Sequence, residues 1–391
     1  MRLRLAILCL AYVLSQFFRA FLAVLSAPLE RDIGVTAEDL AFASGLWFVT
    51  FALMQLPVGW ALDRIGPKRT ASVLLALGGG GGAALFAVAG AAWQIHLAMV
   101  LIGVGCSPVL MASYFIFARQ FPPARFATLA ALMLGVGSVG NLVASYPMAL
   151  AAEILGWRAA LGGLAAVTLA VAAGIALTVR DPEPAAGDET GSVLDLLRMP
   201  VLWAILPLMF IAYAPPANIR GLWMGPYLAD IHGLTTAQVG QATLLMGIAM
   251  IAGTLAYGPI DRLVGSRKWV IFTGSSLATV ALFGLALAGN GNVALAVGLC
   301  AAVGFFGASY PMIIAHGRAF FPPHLAGRGV TLMNMFGIGG AGLFQFGSGR
   351  LHGAVAASAG LHTAYATLFA VFGVAMLAGI AIYLFSRDTM G

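Results

Sequence analysis

Arg19 and Arg220 lie inside apolar stretches about 200 residues apart, and almost nothing else charged enters those stretches. A guanidinium stays charged and presents a planar fork of donors matched to a carboxylate or a phosphate. Placing one in hydrocarbon costs at least ~2.5–3.5 kcal/mol on insertion scales, so each is a functional-site hypothesis by default. Two at equivalent places predict an anion-binding pocket on a symmetry axis. Pro215 and Pro216 precede Arg220 by one turn, with Pro207 further up the same stretch. Such prolines remove backbone hydrogen bonds and break helices at binding sites. The competing reading has both arginines snorkelling to the outer interface. From Leu5, Arg19 is ~21 Å along a helix at 1.5 Å per residue, past the bilayer centre and short of its surface.

Six neutral polar residues join the arginines as candidate binding residues: Gln16, Tyr114, Asn141, Asn218, Tyr310 and Asn334, with Tyr213 and Gln345 also inside apolar stretches. Interhelical hydrogen bonding is the plainer role for any one of them. Asn141 and Asn334 stand out because their stretches are glycine-rich and allow close backbone approach. The fourteen carboxylates all fall in connections or at the ends of apolar stretches, and none of the six histidines sits at a predicted midplane. A proton-coupled pathway needs a titratable group, so the inventory favours anion exchange, facilitated diffusion or proton entry on the substrate.

Three other patterns carry no chemistry. Gly78 to Gly82 is a run of five glycines without a following Lys-Ser/Thr, so it reads as close helix packing rather than a phosphate loop. Met246 and Met250 stand four apart, a spacing that sixteen methionines produce by chance, so no copper site is expected. Cys9, Cys106 and Cys300 have no metal-ligand spacing and read as packing residues. No metal, no cofactor and no catalytic Ser/His/Asp or Cys/His set is expected, and an enzyme is excluded.

The elements that position these residues follow from composition. The chain is 61% hydrophobic and 9% charged, against roughly 25% charged in soluble domains. Apolar runs of about 20 residues recur throughout, each long enough to cross a bilayer as a helix. Twelve spans are predicted near 5–27, 41–62, 70–90, 94–117, 127–150, 157–179, 200–228, 236–260, 269–288, 293–317, 328–349 and 361–385. The start, with Arg2 and Arg4 before an apolar run, imitates a secretory signal, but the run continues past Arg19 to Pro28 and reads as the first span. With the N-terminus cytoplasmic, fifteen basic residues fall on inner segments and three, Arg31, Arg158 and Arg350, on outer loops. That bias places both termini in the cytoplasm. It also explains the net charge of +6 without nucleic acid, which is not an expected partner.

The polar connection 180–199, with a short amphipathic helix expected over 192–198, divides the chain into bundles 1–179 and 200–391 of six spans each. The halves repeat. Gly59, Asp63, Arg64, Gly66, Lys68 and Arg69 after span two match Gly258, Asp261, Arg262, Gly265, Arg267 and Lys268 after span eight. Phe121-Pro122-Pro123 after span four matches Phe321-Pro322-Pro323 after span ten. Six spans per half give both copies one orientation, so the pseudo-two-fold axis runs along the membrane normal.

These motifs resemble the major facilitator superfamily over the full length. The resemblance implies an all-α membrane fold of twelve helices in two pseudo-symmetric bundles, with alternating access to one central site and monomeric function. It also implies a cytoplasmic gate at Gly59, Asp63, Arg64, Lys68, Arg69, Asp261, Arg262 and Lys268, with the aspartates pairing to basic residues; the plain alternative is a solvated charge cluster worth ~0–1 kcal/mol per pair. Phe121-Pro-Pro-Ala-Arg-Phe-Ala-Thr, Gly156-Trp-Arg and Gly221-Leu-Trp-Met-Gly-Pro-Tyr-Leu look like nitrate/nitrite or sugar-phosphate permeases. Span four lacks the arginine of proton-driven drug exporters, and spans two and eight lack the arginines of nitrate carriers. Arginines in spans one and seven look more like phosphate antiporters and organic-anion transporters. The expected function is secondary transport of a small anion across a bacterial inner membrane, anchored by Arg19 and Arg220 from opposite bundles. Two alternatives are an exporter of neutral or amphipathic compounds with structural arginines, and a non-transporting sensor or assembly factor.

Overall fold

The structure is a computed structural model, and it describes residues 2–121, 123–181, 193–289, 291–322 and 325–388. Pro122, Pro323 and most of the connection between the halves lie outside the described residues, as do the side chains of Asp63, Arg262 and Arg328. Every regular element among the described residues is helical. Hydrocarbon offers no hydrogen-bond partners, so a spanning backbone must satisfy itself within each helix. Among the described residues, nine helical runs are long and apolar enough to cross a membrane, and eleven if two bent pairs each form one span. The remaining expected span, 328–349, falls within one 34-residue helix.

The chain divides into two compact units, Met1–Ala186 with Thr236–Gln241, and Gly187–Thr235 with Ala242–Gly391. The first contains α1 (Arg2–Phe17), α2 (Leu22–Ile33), α3 (Ala37–Leu53), α4 (Gln55–Arg64), α5 (Pro67–Leu74), α6 (Gly81–Ala87), α7 (Ala92–Gln120), α8 (Pro123–Val143), α9 (Tyr146–Leu155) and α10 (Trp157–Thr178). The second begins with the short α11 (Val193–Leu197), inside the expected 192–198. It continues with α12 (Pro200–Trp203), α13 (Leu206–Ala212), α14 (Ala214–Asn218) and α15 (Met224–His232). There follow α16 (Thr236–Val264, its first turns in unit 1), α17 (Arg267–Ala288), α18 (Val293–Phe306), α19 (Tyr310–Arg318), α20 (Ala326–Ala359) and α21 (Leu361–Tyr383).

Local chemistry sets several boundaries. Thr36 and Asp39 form a reciprocal capping box at the start of α3, with bonds of 3.0 and 3.1 Å. Asn292 accepts from Ala294 and Leu295 at the start of α18. Positive φ at Gly66 (+98°) and Gly265 (+66°) turns the chain into α5 and α17 at matching points of the two repeats. Arg350, expected in an outer loop, is instead an exposed residue of α20, which runs ten residues beyond the end predicted for that span.

The five-glycine run packs helices, as its composition predicts. Leu75–Gly80 forms a π-helical turn against α7, and a Cβ on Gly105 would lie 2.0 Å from the Gly79 nitrogen. The expected close approach of the glycine-rich spans is present in both units. A Cβ on Gly140 of α8 would lie 2.0 Å from the Val13 carbonyl of α1. Its repeat equivalent, Gly340 of α20, faces the Phe210 carbonyl of α13 at 1.9 Å. These contacts fix the first span of each bundle, and those two spans carry the arginines further along.

Candidate functional site

Both arginines sit where their span stops being an α-helix. The first span bends by 54° between α1 and α2, and Arg19 lies in the connecting turn. No proline or glycine occurs at that break; Phe17, Phe18 and Phe21 fill it, with Phe17 stacked on Phe21 at 5.8 Å. The Arg19 guanidinium lies 5.3 Å from the ring centre of Trp47 and 5.5 Å from that of Phe51. These two rings stand one turn apart on α3 and stack on each other at 5.1 Å. Arg19 therefore rests half-buried against an aromatic pair, whose ring faces attract a guanidinium.

In the second unit the span, with Pro207, Pro215 and Pro216 in it, is cut into three short helices, followed by the π-helical turn Ile219–Trp223 and then α15. Arg220 is the second residue of that turn and is 4% exposed. The snorkelling alternative does not describe it, because the side chain is enclosed by protein. The turn is pinned at both ends to α20: Asn218 Nδ2 donates to the Ala341 carbonyl at 3.0 Å, and Trp223 Nε1 donates to Ser348 Oγ at 2.9 Å. This register sets Arg220 level with Gln345, which is fully buried.

The remaining candidates separate by unit. Gln16 Nε2 donates to the Tyr12 hydroxyl at 3.1 Å, one turn before the break. Tyr114 is half-buried on α7, and Asn141 follows the close-approach glycine of α8. In unit 2, Tyr310 donates to Asn334 Oδ1 at 2.6 Å, and its ring lies 4.6 Å from that of Tyr213. The structure thus brings Gln16 to Tyr12 near the break holding Arg19, and Tyr310 to Asn334 and Tyr213. Trp47, Phe51 and Trp223 escaped sequence reasoning. Tyr12 could have been found, since it precedes Tyr213 by about the 200-residue offset that relates the two arginines.

At the predicted gate, Asp261 pairs with Arg267, at 3.1 Å to Nη2 and 3.3 Å to Nε, and Arg267 Nη1 also donates to the Ala315 carbonyl at 3.3 Å. Lys268 donates instead to the Leu384 carbonyl at 2.6 Å. Arg64 and Arg69 are exposed, and Gly59 has open space where a Cβ would stand. Each repeat carries a second carboxylate that the motif does not contain. Asp181 Oδ1 accepts from the Lys68 backbone at 2.7 Å, at the start of α5. Asp388 accepts from the Lys268 backbone at 3.5 Å and from the Ser266 hydroxyl, at the start of α17. No group of three or more metal-ligating side chains occurs among the described residues.

Residues 8–345 match the model of the Major Facilitator Superfamily, and the chain belongs to that family. Fold and family together define the class: a polytopic, all-α membrane protein of two helical units. Within it, the chain is 23% identical over 165 residues to a probable sulfoacetate transporter of Cupriavidus necator, covering 42% of this chain and 38% of that one. It is 28% identical over 291 residues to an MFS-type efflux pump of Mycolicibacterium smegmatis, covering 68% and 65%. It is 22% identical over 351 residues to the sialic acid transporter NanX of Escherichia coli, covering 85% and 82%. The matched segment is thus under two thirds of the first listed relatives' length. A solved structure of a bacterial homologue of the lysosomal transporter Spinster superposes with a TM-score of 0.79 at 18% identity, covering 98% and 96% of the two chains, a likeness of fold alone.

Proposed function

We propose that this chain is a secondary transporter of small organic anions that works by alternating access, with Arg19 and Arg220 as the anion anchors of its two halves. The observation that carries the reading is that each half holds one guanidinium within the membrane-spanning part of its first span, at a point where the helix is interrupted. A charge there costs several kcal/mol that a soluble helix end would avoid, and an interrupted helix adds free backbone donors and acceptors beside it. The named substrates of two relatives, sulfoacetate and sialic acid, are anions and support the same reading. Gln16, Tyr114 and Asn141 in one half, with Asn218, Tyr310 and Asn334 in the other, supply neutral donors for the rest of such a substrate. Asp63, Arg64, Lys68 and Arg69, with Asp261, Arg262 and Lys268, act at the cytoplasmic gate, and both termini face the cytoplasm of the inner membrane.

Thermal stabilisation of purified protein tests this against carboxylates, sulfonates, phosphates, neutral sugars and organic cations at fixed ionic strength. Stabilisation by a few anions, lost in Arg19→Gln and in Arg220→Gln, is the expected result. Equal stabilisation and transport by both variants would sink it. The efflux relative favours a second reading, export of neutral or amphipathic compounds with structural arginines; stabilisation by such compounds, indifferent to either substitution, is its signature.

A further inference from the structure

We infer that His352 is a proton-binding group that couples this transporter to protons, an assignment that rests on the transport reading above. The sequence puts none of the six histidines at a predicted midplane, and His352 falls three residues beyond the span predicted over 328–349. The helix does not end there: α20 continues to Ala359, and His352 is 5% exposed within unit 2. Its ring lies 4.9 Å from that of Trp223 and 4.5 Å from that of Tyr365 on α21. Its Nε2 is buried and has no hydrogen-bond partner among the described residues. Buried polar atoms are nearly always paired, and an exception calls for an explanation such as a functional role.

The other buried histidine shows the contrast. His316 is fully buried, with Nε2 on the Arg387 carbonyl at 2.8 Å and Nδ1 on the Tyr383 hydroxyl at 2.7 Å. Both of its nitrogens serve the packing of the C-terminal segment. His352 has a nitrogen to spare. The exposed carboxylate of Asp230, at the outer end of α15, accepts from the buried Tyr365 hydroxyl at 2.5 Å. The Tyr365 ring stands between that carboxylate and the imidazole. A proton taken up at the unpaired nitrogen turns a neutral ring into an imidazolium.

The charge reaches the anion anchor through Trp223. An imidazolium within 6 Å of an indole ring face engages its π-system, and Trp223 closes the π-helical turn that holds Arg220. The titratable and charged groups facing His352 are few. Tyr365 comes from α21; behind it on α15 stand Asp230 and Tyr227, whose ring is 5.3 Å from that of Tyr365. Arg220 belongs to the turn packed on α20, and Arg350 on α20 itself is exposed.

Two measurements on the full chain in lipid decide the matter. The first needs no substrate: tryptophan fluorescence is followed from about pH 8 to about pH 4, spanning imidazole titration. A reversible fall is expected, because an imidazolium quenches an adjacent indole, and both His352→Gln and Trp223→Phe remove it. A wild type without the transition, or His352→Gln with the transition intact, overturns the assignment. The second uses proteoliposomes loaded with a pH dye and offered sulfoacetate or sialic acid. Wild type is expected to acidify the lumen as the anion enters. His352→Gln is expected to cut that acidification about tenfold while anion-for-anion exchange, which moves no net proton, continues. Anion entry without acidification overturns the coupling and leaves the transport reading standing. If neither anion enters or exchanges, the anion reading fails for these substrates, and the fluorescence arm alone decides whether His352 takes the proton.

Discussion

Replacing Gly340 by alanine should damage this protein far more than one methyl group suggests. A Cβ at that position would stand 1.9 Å from the Phe210 carbonyl oxygen and 2.8 Å from its carbon. Ordinary contact begins near 3.4 Å, so α13 and α20 must part by about 3.4 − 1.9 = 1.5 Å along that line. Both atoms in the clash belong to rigid helix backbone, and no rotamer change relieves it. Overpacking of this kind costs about 1–3 kcal/mol, occasionally more. Gly347 on the same helix has open space around its Cβ position, and alanine there should instead stabilise by about 0.5–1 kcal/mol through helix propensity. The two variants add the same methyl group to one helix with opposite expected signs. Thermal melts of both proteins in the same detergent compare them directly. Because α13 leads into the turn that carries Arg220, Gly340→Ala should also weaken anion-induced stabilisation. A Gly340→Ala protein that melts with wild type, or above Gly347→Ala, would refute the close approach.

Three further outcomes are expected. Arg19→Lys keeps the charge but gives up the planar guanidinium beside Trp47 and Phe51, so anion binding should fall although charge is conserved, with a loss of about 0.5–2 kcal/mol in a binding titration; equal affinity would show that the guanidinium itself is not needed. Tyr383→Phe leaves buried His316 Nδ1 without its hydroxyl partner, a cost of about 1–3 kcal/mol that should appear in the melt while Tyr383→Phe still transports. Asp181→Asn and Asp388→Asn should each weaken the start of one helix, α5 or α17, by about 1 kcal/mol, read as faster amide exchange confined to Lys68 or Lys268 and the residues just after it.

Much of this architecture is legible in the chain because it rests on local quantities. Span length, the asymmetry of basic residues and the paired Gly66/Gly265 motifs need no knowledge of packing, and the repeat follows from them. The capping box at Thr36 and Asp39 is similarly local. What could not be read depends on which way side chains face. The break at Arg19 has neither proline nor glycine to announce it and arises among packed phenylalanines. His352 falls outside the span predicted to end at 349, although the helix and its burial continue. The partner of Asp261 turned out to be Arg267, since the turn at Gly265 starts α17 at that residue and directs Lys268 toward Leu384 instead. The proline cluster before Arg220 did mark a broken helix, yet nothing in its spacing marked the π-helical turn.

The two carboxylate clasps bear on how the polypeptide can be divided. Asp181 ties the end of the sixth helix of its bundle to the start of the third, and Asp388 repeats the arrangement in the other bundle. In each half a carboxylate just past the sixth span clasps the start of the third. A gene cut between the codons for Asp181 and Val193 should yield two fragments that each insert and can be purified together. Fusion partners attached ahead of Asp388 would unfasten the second half, whereas those attached beyond it would not.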